Sequence, residues 1–289
     1  MEIIKTKYPI NKDITDSLWT GDAITTTIIN HIYDNIDMYK DFDVNILDFT
    51  IFDNMQKYAG GVNYSQEVQD TIDEARVGIS NPVYIVNFDN LDCFYDFGDD
   101  SLVFSPESSY TLKNFIGIPR TTVASDIDGD VVKDLLFSFK GANWTHSIRK
   151  TIIDLYPNEC EGYSGWGVDN NDIEFRSNYI KTIKRSKFSL CPRGYGRTSY
   201  RLYESMMVGT IPVIISDDWQ PPLSFMLDWN EFSVTINEAD VDKIPEILNS
   251  FSDEDVLKMS ERAKEVFYTY FNSDNMYKCV YLYLKEFCY

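Results

Sequence analysis

The sequence predicts an α/β protein whose C-terminal part is a parallel sheet covered by helices. Three observations carry that reading. From residue 135 onward, short apolar runs alternate with helical patterns, as strand–helix–strand units do. Residues 186–217 hold an apolar strand, a glycine-containing turn, a helix and a second apolar strand in direct succession. Parallel strands are buried on both faces and so read as continuous apolar runs, as Ile211–Ser216 does.

The elements follow in order. Glu2–Lys7 is a short strand. Ile28, Ile29, Ile32 and Ile36 recur at helical spacing and predict a helix over about 24–39. Val44–Phe49 and Val83–Phe88 read as strands, the second introduced by Asn81-Pro82. Ser101–Phe104 and Asn114–Ile118 are shorter strands. The polar stretch Ser125–Asp130 is a solvated linker; its three aspartates lack the glycine position and the glutamate of a calcium loop. The domains are therefore 1–124 and 131–272, with 273–289 a terminal helix. In the second domain Leu135–Lys140 is a strand, and Thr145 or Ser147 caps a helix through Ile148, Ile152, Ile153 and Leu155 that Pro157 stops. Ser186–Cys191, Ile211–Ser216 and Phe232–Ile236 are strands, with a helix over Ser199–Val208. Asp253–Phe271 is a helix with an acidic first turn, and Ser273 is positioned to cap an aromatic-rich final helix.

Charge narrows the ligand. The net charge of −20 over 289 residues argues against broad contact with nucleic acid or an anionic membrane. Residues 140–201 nevertheless hold 11 Lys+Arg against 6 Asp+Glu, while the rest holds 15 against 40. A basic island in an acidic chain suits a small anion. Five scattered cysteines without a C-x-x-C pair form neither a disulfide framework nor a zinc site, and two histidines, His31 and His146, are too few for a metal centre or a triad. No stretch has the length of a membrane span, which leads to the expectation of a soluble protein in a reducing compartment.

The island coincides with the turn Pro192–Ser199. Arg193, Gly194, Gly196, Arg197, Thr198 and Ser199 stand just ahead of a helix whose first N–H groups lack internal partners, an arrangement that attracts phosphate. The spacing Gly194-x-Gly196-x-x-Ser199, with Asp217-Asp218 after the next strand, approximates a dinucleotide fingerprint. Its late position and flanking arginines count against a nicotinamide cofactor. Glu204, one and a half turns into the helix, can reach toward a sugar hydroxyl or can face solvent.

The run SKFSLCPRGYGRTSYRLYESMMVGTIPVIISDDWQPPLSFMLDWNEFSVTINEADVDKIPEIL resembles the C-terminal signature of the exostosin-type glycosyltransferases, family 47. It has the Ser-Lys-Phe strand, the proline–glycine turn, an arginine three residues before a glutamate and the Gly-x-x-Pro-Val strand. Leu136–Gly141 with Arg149, and Ile116–Pro119, are similar to the family's upstream elements. The resemblance implies the GT-B architecture, two Rossmann-like domains facing across a cleft, with the acceptor on the first and a UDP-sugar donor on the second. It implies that Arg149 and the turn, assisted by Arg197 or Arg201, hold the diphosphate, and that Glu204 takes the ribose. It implies inversion at the anomeric carbon, no bound metal, and no cofactor beyond the UDP-sugar as co-substrate. A carboxylate of the first domain is then the general base, Asp89 first, with Asp92, Asp22 and Asp16 as alternatives. The compact form is similar to copies encoded by large algal DNA viruses. That implies a cytoplasmic xylosyltransferase acting on an oligosaccharide or capsid glycoprotein. Two other readings stay open: an NAD-dependent oxidoreductase on the same unit, and a catalytically idle glycan-binding protein.

Overall fold

The computed structural model describes residues 2–5, 21–48, 66–86, 95–120, 122, 129, 131–164 and 173–288. The chain divides into two compact units, Met1–Thr121 with Asp218–Met226 and Ser273–Tyr289, and Thr122–Asp217 with Leu227–Asn272. Each is built on a five-stranded sheet whose neighbouring strands are all parallel.

In the first unit β1 (Glu2–Lys5), β2 (Asn45–Asp48), β3 (Pro82–Ile85), β4 (Leu102–Ser105) and β5 (Phe115–Gly117) lie in sequential order. Helix α1 (Gly21–Asp34) follows β1, and α2 (Gln66–Ala75) precedes β3. Ile24, Ile28, Ile29 and Ile32 form the buried stripe of α1. The stripe stops there, short of the predicted end at 39. At the helix end the His31 carbonyl accepts from both the Asn35 side-chain amide at 2.9 Å and the Asn35 N–H at 3.0 Å. A 3₁₀ turn over Ile36–Met38 follows and leaves Ile36 44% exposed.

The second unit contains β6 (Leu135–Ala142), α3 (Ser147–Leu155), β7 (Cys160–Tyr163), α4 (Ile173–Arg185), β8 (Ser186–Pro192), α5 (Tyr200–Met207), β9 (Ile211–Ile215), β10 (Val234–Thr235), α6 (Ile244–Asn249) and α7 (Asp253–Val266). Its strand order is β10-β9-β8-β6-β7. Phe137, Phe188, Leu190, Ile211 and Val213 from the sheet pack with Ile148, Ile152, Val256 and Met259 from the helices. The sequence reading passed over β7 and α4. As an edge strand, β7 pairs with β6 alone, so it needs no apolar run; its Glu161 is mostly exposed and meets Lys140 at 3.0 Å.

One capping detail and one boundary differ from expectation here. Ser273 caps nothing: the final helix, α8 (Tyr277–Phe287), starts four residues later, after a Met276 N-cap with no side-chain hydrogen bond. It docks on α1, where Tyr277 stacks on His31 at 3.4 Å between ring centroids. Segment 218–226, inside the range 131–272, is grouped with the first unit. The loop after β4 holds it: Trp219 Nε1 donates to Pro106 O at 3.0 Å, and Ser108 Oγ to Gln220 O at 2.5 Å.

Helix α7 starts at a two-way cap in which Ser252 Oγ accepts from Asp255 N at 3.2 Å while Asp255 Oδ2 accepts from Ser252 N at 3.2 Å. Replacing Ser252, which is exposed, with alanine removes one reciprocal bond without leaving a cavity. Ser252→Ala is expected to cost about 1 kcal/mol of stability in a urea titration, and Ser252→Asp far less.

Candidate functional site

The order of the second sheet locates a crevice before any side chain is considered. Strand β6 comes first in the chain yet lies between β7 and β8. Connections leave it and β8 in opposite directions, and ligands of such sheets sit at that reversal, beyond the strands' carboxyl ends. The register shows the split. Pairing of β6 with β8 stops at Ser138 and Ser189, after which β6 pairs only with β7, from Phe139 to Ala142, and β8 only with β9, as far as Pro192.

Two guanidinium groups occupy the split. Arg149, in the first turn of α3, donates through Nε to Arg193 O at 2.8 Å, Nη2 to Pro192 O at 3.1 Å and Nη1 to Ala142 O at 3.2 Å. It ties together strand ends that no longer bond each other. Arg201, on α5, donates through Nη2 to Lys140 O. Both lie over the Phe139 ring, with Cζ at 5.9 Å for Arg149 and 4.5 Å for Arg201. Arg201 is buried, which opposes its charge. The surrounding Tyr179, Tyr163, Cys191 and Glu204 outweigh that and raise its pKa, so it is a fixed cation.

The turn 193–199 closes over this pair. Gly194 is needed for close approach: a Cβ there would lie 3.1 Å from Arg149 Nη2 and 3.4 Å from Thr145 Oγ1. Among the described residues the positive-φ glycines are Gly78, Gly98, Gly129 and Gly209, so neither Gly194 nor Gly196 serves by a left-handed backbone. Ser199 is the N-cap of α5, with extended backbone and no side-chain capping bond. Arg197, Thr198 and Ser199 are buried, and Arg193 is half-buried. Trp144 sets its ring edge-on to Tyr195 at 5.6 Å across the two loops.

Four buried polar atoms around the turn lack any hydrogen-bond partner among the described residues: Thr145 Oγ1, Arg193 Nε, Thr198 Oγ1 and Ser216 Oγ. They come from the segments that follow β6, β8 and β9, at one edge of one sheet. Each such group left dry costs about 1–3 kcal/mol. Their convergence makes this edge the candidate place for a polar ligand. Of the four, the sequence named Arg193 and Thr198 as ligand-binding, while Thr145 was read as a possible helix cap and Ser216 as the end of a strand. A usable signal was present: each is among the first polar residues beyond a continuous apolar strand.

Glu204 is not a solvent-facing helix residue. It is 2% exposed and accepts a hydrogen bond from Tyr179 Oη at 2.5 Å. Burial, offset by Arg201 and reinforced by Glu204, holds the Tyr179 phenol well above its usual pKa, so it stays a donor. The structure thus brings together Arg149, Arg193, Gly194, Gly196, Arg197, Thr198, Ser199, Arg201 and Glu204. Asp16, Asp89 and Asp92 lie outside the described residues, as does the side chain of Asp22. Among the described residues no three His, Cys, Asp or Glu side chains converge as a metal site would require.

The N-cap of α3 is His146, rather than Thr145 or Ser147: its Nδ1 accepts from Ile148 N at 3.3 Å. An accepting Nδ1 carries no proton, so the cap exists only in neutral histidine. Burial, then Arg193, with Arg149 adding and Glu238 opposing, holds its pKa below 6.5. A depressed folded pKa means that this contribution to stability is complete above about pH 6.5, the unfolded value, and is lost as pH falls through the folded one. His146→Asn keeps a capping oxygen that does not titrate. Urea unfolding of the variant between pH 7 and 5 should show a shallower acid-side loss than wild type; an identical profile would show that the cap does not couple to pH.

Comparison with known proteins identifies the family. Similar proteins include an Exostosin-1 homolog of Caenorhabditis elegans, 32% identical over 156 residues, covering 48% of this chain and 41% of the relative. A probable glucuronosyltransferase of Oryza sativa subsp. japonica is 39% identical over 167 residues (56% and 38% of the two chains), and a probable beta-1,4-xylosyltransferase of Arabidopsis thaliana is 29% identical over 175 (56% and 40%). These matches take in less than half the length of each relative. Among solved structures, sucrose-phosphate synthase from Thermosynechococcus elongatus aligns with a TM-score of 0.45 at 9% identity, covering 88% of this chain and 69% of its own. The Exostosin GT47 domain matches residues 91–251, more than half of the chain and the whole of the crevice from β6 to β10, so the chain belongs to the exostosin family 47 of glycosyltransferases.

Proposed function

We propose that the second unit binds the diphosphate of a UDP-sugar and that the protein transfers the sugar to a glycan acceptor. The observation that carries this is the set of unpartnered buried polar atoms at the β6/β8 split, next to the fixed Arg201 cation and inside the basic island. Arg193, Thr198 and the uncapped first turn of α5 offer hydrogen bonds to phosphate oxygens. Arg149 acts on this site mainly by shaping it, through the carbonyls that it ties. Glu204, the candidate for the ribose hydroxyls, is held by Tyr179.

The chemistry follows from what such a site stabilises. The acceptor oxygen gives its proton to a carboxylate and forms a bond to the anomeric carbon. The bond from that carbon to the β-phosphate oxygen breaks, and UDP leaves with the electron pair. Attack opposite the leaving group inverts the centre. Negative charge grows on the diphosphate as the bond breaks, and preorganised donors at the turn act on that charge. Asp89, with Asp92, Asp22 and Asp16 behind it, is the proposed base. The relatives' names support a pentose or uronic acid as the transferred sugar, and xylose is the reading preferred here.

Calorimetric titration with UDP, GDP and NAD tests the donor site. Thr198→Val removes an unpartnered hydroxyl at constant shape, so the variant should be as stable as wild type, or more so, while binding UDP about 10-fold or more weakly. Binding of NAD with none of UDP would overturn the reading in favour of an oxidoreductase. For the base, Asp89→Asn should lower kcat about 100-fold or more with UDP affinity unchanged. Full activity of that variant would pass the role to another carboxylate, and glycan binding with no turnover by wild type would identify an idle binding protein.

A further inference from the structure

The first unit holds a cavity of about 220 Å³ beside β5, the edge strand of its sheet. One wall is aromatic. Tyr283 and Phe287 of α8 lie 4.7 Å apart, and Phe225 of the 218–226 segment meets them edge-on at 6.0 and 5.3 Å. Phe225 is 39% and Phe287 55% exposed. Lys113, Gln220 and Ser224 are polar residues of the lining.

The segment that supplies Phe225 is fixed in advance. Leu223 has φ 55° with its side chain buried, a left-handed backbone that costs an L-residue about 1–2 kcal/mol. Gly117, the last residue of β5, admits the segment closely: a Cβ there would come 2.9 Å from Pro222 N and 3.0 Å from Gln220 O. With Trp219 bonded to Pro106 and Gln220 to Ser108, the strained turn is held by the first unit itself. Its net result is a buried Leu223 and a presented Phe225.

Two properties select the occupant. Ring faces beside amide, hydroxyl and ammonium groups match a sugar ring, whose C–H faces are apolar and whose rim carries hydroxyls. A purely apolar partner would bury Lys113 and Gln220 without partners. A phosphate would find one lysine and three aromatic rings. The volume holds a single ring with its substituents.

We infer that this pocket binds one ring of a glycan chain. The inference rests on the reading of the protein as a sugar transferase and deepens it. Wild type, Lys113→Ala and a Phe225→Ala/Phe287→Ala double variant are applied to an array of xylan, glucan, mannan and uronate-containing oligosaccharides. UDP affinity is measured separately by calorimetry. Wild type should retain at least one of these classes, the double variant should lose at least 10-fold in apparent affinity, Lys113→Ala should lose less, and UDP binding should be the same in all three. Absence of glycan binding by wild type, or equal binding by the double variant, overturns the inference. So does sedimentation that shows a dimer in wild type and a monomer in Phe287→Asp, which would make the face an interface between copies. Failure of UDP to bind would instead count against the donor site, and the array is read independently of it.

Discussion

The second unit depends on how two parallel strands part. Hydrogen bonding holds β6 to β8 as far as Ser138 and Ser189, and beyond that point each strand turns to a different neighbour. Parting leaves carbonyls facing a gap. Arg149 and Arg201 fill it with donors, to Ala142, Pro192 and Arg193 from one and to Lys140 from the other, with the Phe139 ring against both. Guanidinium suits the task because its donors are fixed in a plane and its charge persists when buried. Cations placed to repair a sheet also make its carboxyl edge electropositive, which suits the proposed donor site.

That arrangement explains why the turn looks as it does. Gly194 is small because Arg149 and Thr145 crowd it. Ser199 leaves the first turn of α5 without a side-chain acceptor, and Thr145, Arg193, Thr198 and Ser216 keep atoms unpartnered in a buried setting. A chain selected for stability alone would pair or remove such groups. Other such atoms are scattered through the described residues, but these four gather at one edge of one sheet, which is why the donor site is proposed there. Behind them, Arg201, Glu204 and Tyr179 form a buried layer that fixes α5 against the sheet.

Much of this was legible in the sequence because continuous apolar runs and a glycine turn report directly on parallel strands and anion sites. Strands β6, β8 and β9 and helices α5 and α7 lie where the pattern places them. The failures have local causes. Edge strand β7 carries no apolar run, since only one side is paired. Helix α1 gives way after Asp34 to a 3₁₀ turn over Ile36–Met38, a change of winding that apolar spacing does not register. His146 caps α3 although hydroxyls flank it, because the Thr145 side chain stays unpartnered beside Gly194. The partners of Arg149 were hidden for a different reason. A sequence shows that an arginine stands near a phosphate-type turn, but not that three backbone carbonyls claim it.

Hydrogen exchange of backbone amides, with and without saturating UDP, tests the central claim most directly. If the β6/β8 split is the diphosphate site, UDP slows exchange in residues 143–149, 193–202 and 216–217, the segments beyond the parted strands and the first turn of α5. The rest of the second sheet, already bonded, should be unchanged. Slowing elsewhere with none at 193–202 would contradict the account and place the nucleotide away from the crevice that the two arginines hold open.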